Sequence, residues 1–139
     1  MLESEKTFKY LYKDKHMIDH VTIRVKDLEK SRVFYEKVLA ALGYKHNIGS
    51  KKEGYYGFGF GEDPIFEISK PTKERPVNRK VHIAFKAKTK DQIKEFYKVA
   101  IANGAKDNGK PGSCKNYTPT YYAAFVIDAD GNNIEACLY

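Results

Sequence analysis

The 139-residue chain repeats itself once, and that repeat restricts the possible folds more than any other feature of the sequence. His20-Val21-Thr22-Ile23-Arg24-Val25-Lys26 matches His82-Ile83-Ala84-Phe85-Lys86-Ala87-Lys88 at an offset of 62 residues. Phe34-Tyr35 falls on Phe96-Tyr97 at the same offset, and Gly43 falls near Gly104 with one residue deleted. Phe66-Glu67-Ile68 falls on Ile134-Glu135-Ala136 at an offset of 68. A fold built from this chain must therefore place two copies of one module.

Each copy opens with alternating apolar and polar residues, the pattern of a half-buried strand. Val21, Ile23 and Val25 oppose His20, Thr22 and Arg24; Ile83, Phe85 and Ala87 oppose His82, Ala84 and Lys86. A helix follows each strand. Asp27 is placed to cap the first, which carries Leu28, Val33, Phe34, Val38, Leu39 and Leu42 and stops at Gly43. Thr89, with Gln92 three residues on, is placed to cap the second, which carries Ile93, Phe96, Tyr97, Ala100 and Ile101 and stops at Asn103-Gly104. Further strand signals cover 53–60, 65–68, 121–127 and 133–138. The expected fold is α+β: two βαβββ modules, about 17–70 and 80–139, in a cup-shaped mixed sheet with helices on the outer face. Residues 1–16 form an N-terminal extension whose Phe8, Tyr10, Leu11 and Tyr12 call for a surface to cover them.

Composition removes several classes of function. With 42% apolar and 14% aromatic residues the chain can bury a core, which excludes a disordered or collagen-like polymer. Cys114 and Cys137 are too few for a disulfide framework, and no C-x-x-C pair is present. The net charge of +7 is dispersed except at Lys70, Lys73, Arg75, Arg79 and Lys80, a segment broken by Pro71 and Pro76 that reads as a solvated connector. Without a basic face carrying stacking aromatics, no nucleic-acid partner is expected. No apolar run reaches membrane-spanning length, and the start Met1-Leu2-Glu3-Ser4-Glu5 is acidic where a signal peptide is basic, so the expectation is a cytoplasmic protein with no membrane partner.

Alternation also sorts the residues that carry chemistry. Phe66 and Ile68 belong to the helix side of their strand, which sends Glu67 to the other; Ile134, Ala136 and Leu138 do the same for Glu135. His20, Glu67, His82 and Glu135 therefore share the polar face, at matched places in the two modules. Two imidazoles and two carboxylates form an N/O donor set suited to Zn, Ni, Co, Mn or Fe. Arg24 and Lys86 lie four residues after each His on the same face, where they could hold an anionic substrate. Tyr56 and Phe58 are candidates for a pocket wall, as is Tyr122 in the strand before Glu135; His16 and His46 have no matched partners and read as surface residues.

The run 17–28 with Phe34-Tyr35, the strand Val81-His82-Ile83-Ala84-Phe85, and above all 121–135, which closes on Asp128-Ala129-Asp130-Gly131-Asn132-Asn133-Ile134-Glu135, resemble the glyoxalase, bleomycin-resistance and extradiol dioxygenase superfamily, also called vicinal oxygen chelate. The resemblance implies paired modules around a divalent metal held by His20, Glu67, His82 and Glu135, and a homodimer. It implies a glyoxalase I-like isomerase or lyase acting on a small carbonyl or thiol-adduct substrate through an enediolate, with Glu135 or Glu67 as the base. The alternative in the same fold is a metal-free binding or drug-resistance protein. A ring-cleaving dioxygenase is disfavoured by the second carboxylate, which would occupy a position needed by catechol or oxygen, and by the short chain; thiol transfer also ranks lower.

Overall fold

The computed structural model describes residues 18–114 and 116–139. The proposed extension 1–16 lies outside the described residues. Each module follows one order. The first has β1 (Val21–Arg24), α1 (Leu28–Ala40), β2 (Lys45–Ser50), β3 (Tyr55–Phe60) and β4 (Asp63–Ser69). The second has β5 (His82–Lys86), α2 (Lys90–Ala102), β6 (Lys106–Ser113), β7 (Tyr122–Ile127) and β8 (Asn133–Leu138). These are the two expected βαβββ modules.

Both helices begin and end where their local chemistry requires. The Asp27 carboxylate accepts from Lys30 N and the Thr89 hydroxyl from Gln92 N, each satisfying a first-turn donor that has no partner within the helix. Gln92 reaches one residue further back than a capping box usually does, accepting from Lys88 N at 2.7 Å. Gly43 and Gly104, at φ of 86° and 95°, end the helices in a left-handed conformation that costs glycine little.

The strands form two four-stranded mixed sheets, β1-β4-β3-β2 and β5-β8-β7-β6, one from each module. In each, the opening strand runs parallel to the closing strand and forms one edge. The registers match: Thr22 lies opposite Glu67, and Ala84 opposite Glu135. Each helix packs on its own sheet, the two helices touch, and apolar residues of both modules join one buried cluster. Phe66 sits at the join, 5.0 Å from the Tyr35 ring and 5.2 Å from Phe85.

The turn at 128–132 joins the modules with polar bonds. Asp128 accepts from Asp130 N, Asn132 N, Asn132 Nδ2 and the Tyr35 hydroxyl of α1, while Asp130 Oδ1 accepts from Lys26 N. Asn132, fully buried, accepts from Val81 N and Asn78 Nδ2, and Asn78 in turn accepts from Arg24 N. Buried polar groups are retained where they are paired, and these link the two modules and the connector between them. Among the described residues no helix is long and apolar enough to cross a membrane.

Candidate metal centre in two halves

The four candidate ligands come as two pairs. In the first module Glu67 lies on the sheet face opposite the helix, and its Oε2 accepts from Thr22 Oγ1 at 2.9 Å. His20, just before β1, is exposed, with Nδ1 2.8 Å from Asp19 Oδ1. The Asp19 hydrogen bond, and next the Glu67 charge, raise the His20 pKa above its usual 6.5.

In the second module His82 Nε2 lies 2.7 Å from Glu135 Oε2. The His82 side chain is 54% exposed whereas that of Glu135 is 4% exposed, so an open imidazole leads to an enclosed carboxylate. The other oxygen, Oε1, accepts a close hydrogen bond from the Tyr121 hydroxyl. Around it Tyr121, Ala123 and Cys137 form a small cluster with Cys114 and Phe125. Burial first, and the Glu135 charge second, push both thiols above their usual pKa, so they stay protonated at neutral pH and are weak nucleophiles.

Among the described residues no group of three or more His, Cys, Asp or Glu side chains is arranged to hold a metal ion. His20, Glu67, His82 and Glu135 are accordingly not gathered into one such group among the described residues. The two helices touch, and Glu67 and Glu135 alternate with the apolar residues that pack into the shared core.

The other candidates divide by strand face. Tyr56, Phe58 and Tyr122, expected as pocket wall, all lie in the main apolar cluster on the helix side. Tyr56 lies opposite Ile68 and donates to Glu29 Oε1 at 2.5 Å; Phe58 lies opposite Phe66 and is fully buried. The Tyr122 ring is approached by Lys90 Nζ at 5.2 Å from its centroid. Arg24 Nη1 donates to the Lys70 carbonyl at 3.1 Å, which ties it to the connector. Lys86 is exposed beside Cys137 in the register. Tyr121 and Thr22, not singled out from the sequence, are the two hydroxyls on the candidate carboxylates. Alternation contained the Tyr121 signal: Phe125 lies opposite Glu135, so odd-numbered residues of this segment share the ligand's face.

The family model described as Glyoxalase/Bleomycin resistance protein/Dioxygenase superfamily matches residues 17–136. The chain belongs to that superfamily. A glyoxalase/bleomycin resistance protein from Albidiferax ferrireducens T118 is 30% identical, with a TM-score of 0.76 over 88% of this chain and 98% of the other. Two more distant members of the fold are similar in structure. One is a glyoxalase/bleomycin resistance protein/dioxygenase family enzyme from Burkholderia phytofirmans PsJN, at 19% identity, a TM-score of 0.62, and coverage of 86% and 95%. The other is a lactoylglutathione lyase from Agrobacterium tumefaciens, at 16% identity, a TM-score of 0.63, and coverage of 88% and 92%. No curated protein matches the chain.

Proposed function

We propose that the protein is a divalent-metal-dependent isomerase or lyase of the glyoxalase I type, whose centre is completed between two copies of the chain. The observation that carries this reading is that Glu67 and Glu135 hold matching register positions, with His82 on Glu135 and His20 just ahead of β1, each on a sheet whose opening strand forms an edge. An edge strand presents unpaired backbone groups. Setting β1 of one copy beside β5 of another satisfies them and brings His20 and Glu67 toward the partner's His82 and Glu135. Two imidazole nitrogens and two carboxylates fit a borderline divalent ion, with positions left for substrate.

When bound, the ion supplies Lewis acidity toward adjacent oxygens of a small carbonyl or thiol-adduct substrate. The protein's own groups do the rest. A carboxylate of the pair Glu67 and Glu135 takes the proton from the carbon beside the carbonyl and returns it to the neighbouring carbon through an enediolate. Lys86, exposed on the same face, is placed to hold an anionic part of the substrate.

Metal content after purification without added metal, followed by turnover of methylglyoxal with glutathione, tests the activity. Mixing tests the assembly. A His20→Ala/Glu67→Ala chain and a His82→Ala/Glu135→Ala chain, each inactive, regain about a quarter of wild-type activity when reassorted, because each mixed dimer holds one intact centre. No recovery in verified mixed dimers would place each centre within a single chain. The second reading is metal-free binding of a small molecule, favoured by the lack of a three-ligand group within the described residues of one chain and by the Tyr117 and Tyr139 rings beside Tyr121, which itself bonds Glu135. Ligand binding that survives removal of all divalent ions would support it.

A further inference from the structure

We propose that the cavity at the start of α1, where the closing turn of the second module meets the first, binds a phosphate-bearing small molecule. The site is independent of the metal reading above. Its volume is about 630 Å³, within the range of small-molecule sites, and none of His20, Glu67, His82 and Glu135 lines it. Both modules contribute to the lining: Lys26, the first turn of α1, Lys51 and Lys70 from the first, Ala129 and Asp130 from the second.

Three kinds of donor meet there. Lys26, Lys30, Lys51 and Lys70 come from separate points of the chain and are exposed, and among the described residues none of their ammonium groups enters an ion pair. The carboxylates of the lining are already engaged: Asp27 accepts from Lys30 N, Glu29 from Tyr56 and Arg32, and Asp130 from Lys26 N. The second kind is the backbone. The first-turn N–H groups of Leu28 and Glu29 have no carbonyl within the helix, and the Asp27 cap accepts from Lys30 N instead, so both remain to face an anion. The third, and the decisive one, is Ser31. It is only 6% exposed, yet it lines the cavity, and its hydroxyl, with no hydrogen-bond partner among the described residues, opens into that space rather than being sealed in the protein. Buried polar groups are nearly always paired, and an oxygen of a ligand in the cavity would pair this one. Lysines act on phosphate as point charges, while the helix N–H groups and the hydroxyl supply directed bonds, a set suited to the several oxygens and multiple charge of a phosphate. The cavity leaves room beyond one phosphate for an organic body or a second phosphate.

The test is calorimetric titration of the whole chain with inorganic pyrophosphate, ADP and citrate, with amide NMR to locate the site. One saturable site is expected for pyrophosphate, with shifts at Leu28, Glu29 and Ser31 and a higher melting temperature, since a ligand held by both modules binds the folded chain alone. Tighter binding of ADP identifies an organic phosphate, and equal or tighter binding of pyrophosphate a free oligophosphate; either supports the site. Ser31→Ala is expected to weaken pyrophosphate about 10-fold, the loss of one hydrogen bond to a charged group. Lys51→Gln/Lys70→Gln is expected to weaken it at least as much, and because both lysines are exposed this variant keeps the test open should Ser31→Ala fail to fold. Lys94→Gln/Lys98→Gln, on the exposed surface of α2 and outside the lining, is expected to bind as wild type. Equal weakening in that last variant overturns the proposal, because it marks general attraction to a chain of net charge +7. No saturable binding, wild-type affinity in both cavity variants, or citrate held as tightly as pyrophosphate overturns it too.

Discussion

Removal of one hydroxyl from Tyr35 should loosen the join between the modules by a predictable amount. The ring is 1% exposed, and its OH lies 2.5 Å from Asp128 Oδ2, linking α1 of the first module to the closing turn of the second. Burial and the Asp128 charge raise the phenol pKa well above 10, so the group remains a donor through the alkaline range. A hydrogen bond to a charged group is worth about 1.5–3 kcal/mol. In Tyr35→Phe, Asp128 keeps three donors, Asp130 N, Asn132 N and Asn132 Nδ2, the last still on Oδ2 at 3.0 Å. That places the loss near the lower part of the range, at about 2 kcal/mol. For a chain of this length about 4 °C of Tm accompanies each kcal/mol, giving a fall of about 8 °C. Urea unfolding with an unchanged slope would assign the loss to the folded state. A loss below about 0.5 kcal/mol would refute the reasoning, since it is the size expected of a surface substitution. A Tyr35→Phe/Asp128→Asn cycle showing no coupling would assign any loss to another cause.

Three further outcomes follow from the same geometry. Phe66→Ala should cost about 3–5 kcal/mol in urea unfolding, because the 2%-exposed ring is shared between modules and the site is closed on both sides. Glu29, held below the ordinary carboxylate pKa of 4.5 first by the Tyr56 hydroxyl and then by Arg32, contributes stability that is fully present above its unfolded pKa and lost as pH falls through the folded value; NMR titration of Tyr56→Phe should show the Glu29 pKa moving up. Replacing Gly131, at φ 84° with Lys80 Cε 2.9 Å from an added Cβ, by Ala should cost about 1 kcal/mol or more by thermal melting and should leave the half-site distances intact.

Much of this architecture was legible because one face of each central strand is buried. β4, β7 and β8 have apolar residues at alternate positions facing the helices, so a period of two located them and sent Glu67 and Glu135 to the other side. β2 and β6 escaped the same rule. Both are edge strands, and Lys45–Ser50 and Lys106–Ser113 are mostly polar or turn-forming, with Pro111 tolerated because an edge strand need not donate everywhere. The aromatic stripe of β3 misled for the opposite reason. Tyr56 and Phe58 alternate with glycines, which reads equally well as a pocket wall or a core face; their pairing with Ile68 and Phe66 decides for the core. How the four candidate ligands sit relative to one another was not legible. Alternation specifies which side of its own sheet a residue occupies, and is silent on how two sheets face each other.

The segment most distinctive of the superfamily therefore has a use different from the one its conspicuousness suggests. In 128–132 the carboxylates and amide are spent on backbone donors, on Tyr35 and on the connector, so that this run joins modules and touches no candidate ligand except by leading into β8. The proposed chemistry rests on residues that look ordinary one at a time and become informative only through the repeat. Where the copies agree, at His20 with His82 and Glu67 with Glu135, they supply a matched donor set. Where they differ, at Thr22 against Ala84 and Gly57 against Phe125, the residues opposite Glu67 and Glu135 differ with them, so the two carboxylates sit in different surroundings within the same register.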